Sequence, residues 1–86
     1  MTYRVVFTRE ARAQLDDLFD YIADAADQET ASRVVNNILD HAETLVVFPH
    51  RGTSRDDLRP GLRTIPWKRR ATLAYVVEDQ QVVIIG

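Results

Sequence analysis

Two apolar stripes of helical period occupy the first half of this chain, and a proline closes the second. Ala11, Leu15, Leu18, Phe19, Ile22 and Ala26 fall at offsets of 4, 7, 8, 11 and 15, one face of a helix with about 3.6 residues per turn. Thr8 stands where an N-cap would open that helix near Arg9, its hydroxyl able to accept from a free backbone N–H. A polar break at Asp27-Gln28-Glu29 follows. Then Ala31, Val34, Val35, Ile38, Ala42 and Leu45 repeat the pattern at offsets of 3, 4, 7, 11 and 14. Phe48-Pro49 should end this second helix, because the residue before a proline is driven out of helical backbone angles. Two amphipathic helices joined by a short polar turn predict an antiparallel αα-hairpin.

The remaining apolar segments have a different period. Tyr3, Val5 and Phe7 alternate ahead of the first helix, as in a half-buried strand. His50 to Pro60 reads as an extended, arginine-rich connection and Pro60-Gly61 as a turn. Leu62 to Ile65 is a strand candidate that Pro66 should cut short. Ala71 to Val77 and Val82 to Ile85 follow, separated by the polar Glu78-Asp79-Gln80-Gln81. The last run is apolar on both faces and should therefore lie inside the sheet. The predicted fold is α+β: an antiparallel αα-hairpin packed on a three- to four-stranded, mostly antiparallel sheet, in the order β-α-α-β-β-β, with residues 1–86 as one domain.

Charge divides the chain. Residues 1–48 carry four arginines against nine carboxylates, a balance of −5, whereas residues 49–70 carry seven bases against two acids, a balance of +5. Ten of the eleven bases are arginine, the side chain best suited to bidentate and stacked recognition of anions. The longest unbroken apolar run, Leu73 to Val77, is five residues, far short of the ~20 needed to span a bilayer. The amino terminus lacks the apolar core of a signal peptide. Neither a disulfide framework nor a thiolate site can be written for a chain without cysteine. A cytoplasmic protein with no membrane contact is expected.

Most catalytic signatures are missing from the sequence. Three glycines, Gly52, Gly61 and Gly86, cannot supply a phosphate-binding loop or a dinucleotide fingerprint. Ser32 and Ser54 lie in no nucleophile-elbow context, and His41 and His50 read as ordinary surface histidines. Asp16, Asp20 and Asp24 recur every fourth residue, but carboxylates spread over two helical turns diverge rather than converge on one ion, which leaves a solvated face. No catalytic residue, metal ligand or cofactor is expected. The candidate binding residues are the bases Arg51, Arg55, Arg59, Arg63, Lys68, Arg69 and Arg70 together with Trp67. An aromatic next to three cations is a composition suited to holding phosphates and stacking on bases, and a tight turn would bring Arg59 and Arg63 alongside it.

Read as a whole, the chain from Tyr3 to Gly86 resembles the RelE/ParE superfamily of bacterial toxin–antitoxin toxins. The resemblance rests on Thr8-Arg9-Glu10-Ala11, Leu15-Asp16-Asp17-Leu18 and Tyr21-Ile22 in the first helix, and on Leu45, Pro49 and Gly52 at the end of the second. Leu62-Arg63, Ala74-Tyr75-Val76-Val77 and the Val82–Ile85 strand complete it. The run from Pro49 to Arg63 is most similar to the ParE, plasmid-stabilisation branch. The resemblance implies the same β-α-α-β-β-β order. It also implies a toxin that is neutralised by a cognate, ParD-like antitoxin and forms oligomers through it. ParE-like members poison DNA gyrase without being nucleases; RelE-like members cleave mRNA on the ribosome with basic side chains and a late Tyr, Lys or His.

Two positions here depart from the RelE pattern. Thr72 stands three residues before Tyr75, where RelE-like chains carry arginine, and the sequence stops at Gly86, before the late catalytic residue. A missing general acid or base removes about 10²–10⁴ in rate. ParE-like chains in turn generally extend beyond this last strand, so a C-terminal tail is expected that this sequence does not include. A non-enzymatic gyrase inhibitor is the reading that follows. The alternatives are a ribosome-dependent endoribonuclease and a non-toxic module that only binds antitoxin.

Overall fold

A computed structural model describes residues 3–68 and 71–86. Strand β1 (Arg4–Phe7) leads through Thr8 into helix α1 (Arg9–Ala25). The Thr8 hydroxyl accepts from Ala11 N at 3.1 Å, the N-cap role its position predicts. Helix α2 (Gln28–Glu43) begins after only Ala26 and Asp27. The Asp27 carboxylate caps it by accepting from Thr30 N at 2.6 Å, which lowers the Asp27 pKa below the ordinary carboxylate value. The two helices pack antiparallel as the apolar stripes require, with the small residues Ala11, Ala31 and Ala42 at buried positions.

Helix α2 ends earlier than Pro49. The Thr44 hydroxyl donates to the His41 carbonyl at 2.6 Å, and Thr44–Val46 tighten into a 3-10 turn. The β-branched residues Thr44, Val46 and Val47 crowd an α-helix at χ1, and a threonine hydroxyl that bonds back to the preceding turn competes with the regular ladder.

The sheet has five strands, in the order β1-β5-β4-β3-β2. Strands β3 (Leu62–Trp67), β4 (Ala71–Glu78) and β5 (Gln81–Ile84) form an antiparallel meander, and β1 adds parallel to β5. The run Val82–Ile84 thus lies inside the sheet, as its two apolar faces require. The fifth strand corrects the expected count of three to four. Thr53–Ser54 (β2), inside the stretch read as a connection, pairs with Thr64 and Arg63 at the edge of β3.

Pro66 does not cut β3 short, and strand polarity explains why. In an antiparallel strand the N–H and C=O of one residue point to the same side and alternate along the chain. Leu62 N and O both bond outward, to Arg59 O and Arg55 N. Pro66 shares that parity, so the missing N–H would face away from β4, past the short β2. Its outward carbonyl accepts instead from His41 Nε2 at 2.9 Å, tying α2 to β3 and giving His41 a structural bond that the sequence alone did not suggest.

The helices cover one sheet face. Ile38, Leu45, Ile65, Trp67, Leu73, Tyr75, Val82 and Ile84 form the shared core, with Phe7, Leu15 and Leu18 packed against it. No helix among the described residues is long and apolar enough to cross a membrane.

Candidate functional site

The segment from Val47 to Gly61 leaves the helical layer, adds β2 along the edge of the sheet and returns to open β3. Its path is set at Gly52, where φ is +90° and an added Cβ would lie 2.5 Å from the Thr64 carbonyl oxygen and 2.6 Å from Ile65 Cγ2. Only glycine allows this backbone to turn so close to β3. The four arginines spaced four apart in sequence are not on a helix. Arg51 precedes Gly52, Arg55 follows β2, Arg59 lies in the next turn and Arg63 is in β3.

Arg51 and Arg63 come together through the backbone. Arg63 and Tyr75 are ladder partners in β3 and β4, so their side chains share a face. Arg63 Nε donates to the Arg51 carbonyl at 3.2 Å, and the buried Tyr75 hydroxyl donates to the same oxygen. Burial pushes the Tyr75 pKa above its usual value, against the opposing pull of the nearby Arg63. The Arg51 guanidinium itself reaches the Thr44 hydroxyl at 3.3 Å.

Arg55 is different. Its Nε and Nη2 form a fork to the two Asp57 oxygens, each at 3.2 Å, which raises the Arg55 pKa and lowers that of Asp57. Asp56 is also committed. One oxygen accepts from Gly61 N at 2.8 Å and the other from Ser54 Oγ at 3.0 Å. These two bonds, the Gly61 amide first, hold its pKa below the usual carboxylate range. The Arg59 backbone is bonded on both sides, to Arg55 O and Leu62 N, while its side chain forms no hydrogen bond or ion pair within the described residues. The acidic pair therefore neutralises Arg55 and shapes the turn, leaving the guanidiniums of Arg51, Arg59 and Arg63 outside any ion pair among the described residues.

The expected composite of these arginines with the Trp67–Arg70 cluster does not form through Lys68. Lys68 follows the far end of β3, five residues from Arg63, or roughly 17 Å along a strand. Trp67 points into the core and is 7% exposed, so it is not a free stacking platform; it instead underlies Lys68, whose ammonium lies 5.0 Å from the ring centroid. Arg69 and Arg70 lie outside the described residues. Among the described residues of this region, Arg51 and Arg63 meet at the Arg51 carbonyl with Arg59 in the intervening turn, and Lys68 stands apart at the far end of β3.

Sequence reasoning overlooked Tyr75 as the anchor of the loop and Val47 and Phe48 as exposed apolar residues. A signal for the latter existed: the stripe Ile38, Ala42, Leu45 continues in register to Pro49, which is buried, so Val47 and Phe48 fall off it. An apolar groove also runs along α1 to the start of β4, lined by Phe7, Leu15, Leu18, Ile38 and Leu73. Asp16, Asp17, Asp20 and Asp24 are exposed on α1.

This arrangement has close parallels among known proteins. The profile of a family described as the ParE toxin of the type II toxin–antitoxin system parDE matches residues 5–86. Toxin ParE3 of Caulobacter vibrioides (strain ATCC 19089 / CIP 103742 / CB 15) is 35% identical over 85 residues, covering 95% of this chain and 81% of that protein. A solved structure described as the chromosomal ParDE TA system from P. aeruginosa superimposes with a TM-score of 0.83 at 25% identity, covering 96% of this chain and 90% of the other.

Proposed function

This chain belongs to the ParE toxin family of type II toxin–antitoxin systems, and from that premise we propose that it is a protein inhibitor of DNA gyrase, gripping its target through the Arg51–Arg63 loop and making or breaking no covalent bond. The observation that carries this reading is the cationic loop itself. Arg51 and Arg59 lie on the segment that Gly52 and Tyr75 pin to the sheet, Arg63 of β3 donates to the Arg51 carbonyl, and none of the three forms an ion pair among the described residues. A fixed cluster of like charge attracts an acidic surface and speeds its encounter. Lys68 at the far end of β3 offers a further cation, and we include Arg69 and Arg70 in the same proposed contact.

The ribosome-dependent nuclease reading has weaker support. Tyr75, the aromatic of the central strand, is 0% exposed with its hydroxyl committed to Arg51. Burial raises its pKa, and a general acid or base must reach its substrate.

The antitoxin partner is read from the family. We place it on the groove between α1 and the start of β4, where an apolar segment would cover Leu15, Leu18 and Leu73. Toxin copies would then associate through the antitoxin, in the cytoplasm where gyrase works.

The test is a supercoiling assay with purified gyrase. Inhibition with accumulation of cleaved DNA is expected; unchanged supercoiling would remove the gyrase reading, and message cleavage in a translating extract would replace it with the nuclease.

A further inference from the structure

We propose that Val47 and Phe48, with the Arg51 guanidinium beside them, form a docking prong for an acidic protein surface that carries an apolar socket; the assignment rests on the gyrase reading and names the part of the toxin that makes the contact specific. The two residues are 69% and 65% exposed, whereas the other valines of the chain are all at least partly buried. They line a shallow, open depression with Pro49, His50 and Arg51.

The prong is held in place from both ends. Val47 N donates to Thr44 O and Arg51 N to Phe48 O, each at 3.3 Å. Pro49 is buried, and the Arg51 carbonyl is clamped by Tyr75 and Arg63. A segment ordered before binding loses little conformational freedom on binding. An aromatic anchor next to arginine is also the composition of an interface hot spot.

The occupant follows from the two halves of the surface. Charge complementarity with Arg51, Arg59 and Arg63 calls for acidic groups. The Val47–Phe48 pair calls for apolar area to cover, which a phosphodiester backbone does not present. The acidic face of α1 on a second copy, with Asp16, Asp17, Asp20 and Asp24, would satisfy the charges alone. That contact is head-to-tail and would build rings or open filaments rather than a twofold pair.

The experiment measures binding of the full chain to purified gyrase holoenzyme at low and high salt. It compares the unaltered protein with Val47→Ser/Phe48→Ser, Phe48→Leu and Arg51→Gln, each checked for an unchanged thermal transition. The double variant should lose about tenfold or more in affinity at both salt concentrations, the scale set by burying a phenyl side chain on binding. Phe48→Leu should retain most of the binding. Arg51→Gln should weaken binding chiefly at low salt, where charge is least screened. Binding by the double variant equal to the unaltered chain overturns this inference and leaves the gyrase reading standing. No binding by the unaltered chain overturns both. Self-association at low salt that the double variant abolishes assigns the prong to a second copy and also overturns it.

Discussion

The Tyr75 hydroxyl donates to the backbone carbonyl of Arg51, twenty-four residues earlier in the chain, and so ties the cationic loop to the centre of the sheet. Tyr75→Phe keeps the packed ring and removes only this bond, while Arg63 Nε still satisfies the carbonyl. A net loss of about 1 kcal/mol is expected in urea denaturation, together with weaker gyrase inhibition as the loop loosens. Full inhibition by a measurably destabilised variant would separate the bond from function.

Gly52 is the other fixed point. An alanine there would combine positive φ with a Cβ 2.5 Å from the Thr64 oxygen, so the β2–β3 edge must shift. Gly52→Ala should cost more than about 1 kcal/mol, read as a lower denaturation midpoint. Gly61→Ala meets no neighbouring atom within 4 Å and should cost less, from its φ of +80° alone.

The Arg55–Asp57 pair masks a charge. Arg55 is partly and Asp57 largely exposed, so Asp57→Asn should leave stability almost unchanged. It frees the Arg55 guanidinium, and target binding should strengthen at low salt. Arg59→Gln removes a guanidinium without an ion-pair partner among the described residues and should act in the opposite direction, with the melting transition unmoved. Titration calorimetry at two ionic strengths distinguishes these effects.

Asp56 makes the turn sensitive to acid. Its folded pKa lies below the ordinary 3.8 because the carboxylate accepts from Gly61 N and Ser54 Oγ. Stabilisation from those bonds is therefore present above the ordinary value and lost as pH falls through the depressed one. The Gly61 amide resonance should titrate with a midpoint below 3.8; a midpoint at or above it would mean that the bond does not form in solution.

Antitoxin binding should raise the stability of the toxin. A partner present at 100 times its dissociation constant adds about 2.7 kcal/mol, which for a domain of this size raises the melting temperature by roughly 10–20 °C. Calorimetry of the chain alone and in complex measures the difference, and equal transitions would contradict the linkage.

The helical half was legible because each helix carries its own instructions. The stripes ending at Ala26 and Leu45 and the Thr8 cap are local patterns, and local hydrogen bonds satisfy them. The two-residue strand Thr53–Ser54 was not legible, since it has no apolar alternation and exists only because Gly52 lays it against β3. Pro66 was misjudged because its tolerance depends on which way its nitrogen faces, a matter of pairing rather than composition.

The candidate site divides the same way. Clustering of positive charge after Pro49 can be counted from the residues, and so can the exclusion of cysteine chemistry. Which arginines remain outside an ion pair, that Trp67 is turned inward beneath Lys68 and that Val47 and Phe48 stay exposed were decided by tertiary structure. Periodicity and charge are properties of neighbours along the chain. Exposure and ion pairing depend on segments brought together from a distance, and the meeting of Tyr75 with Arg51 exists only once the sheet has formed.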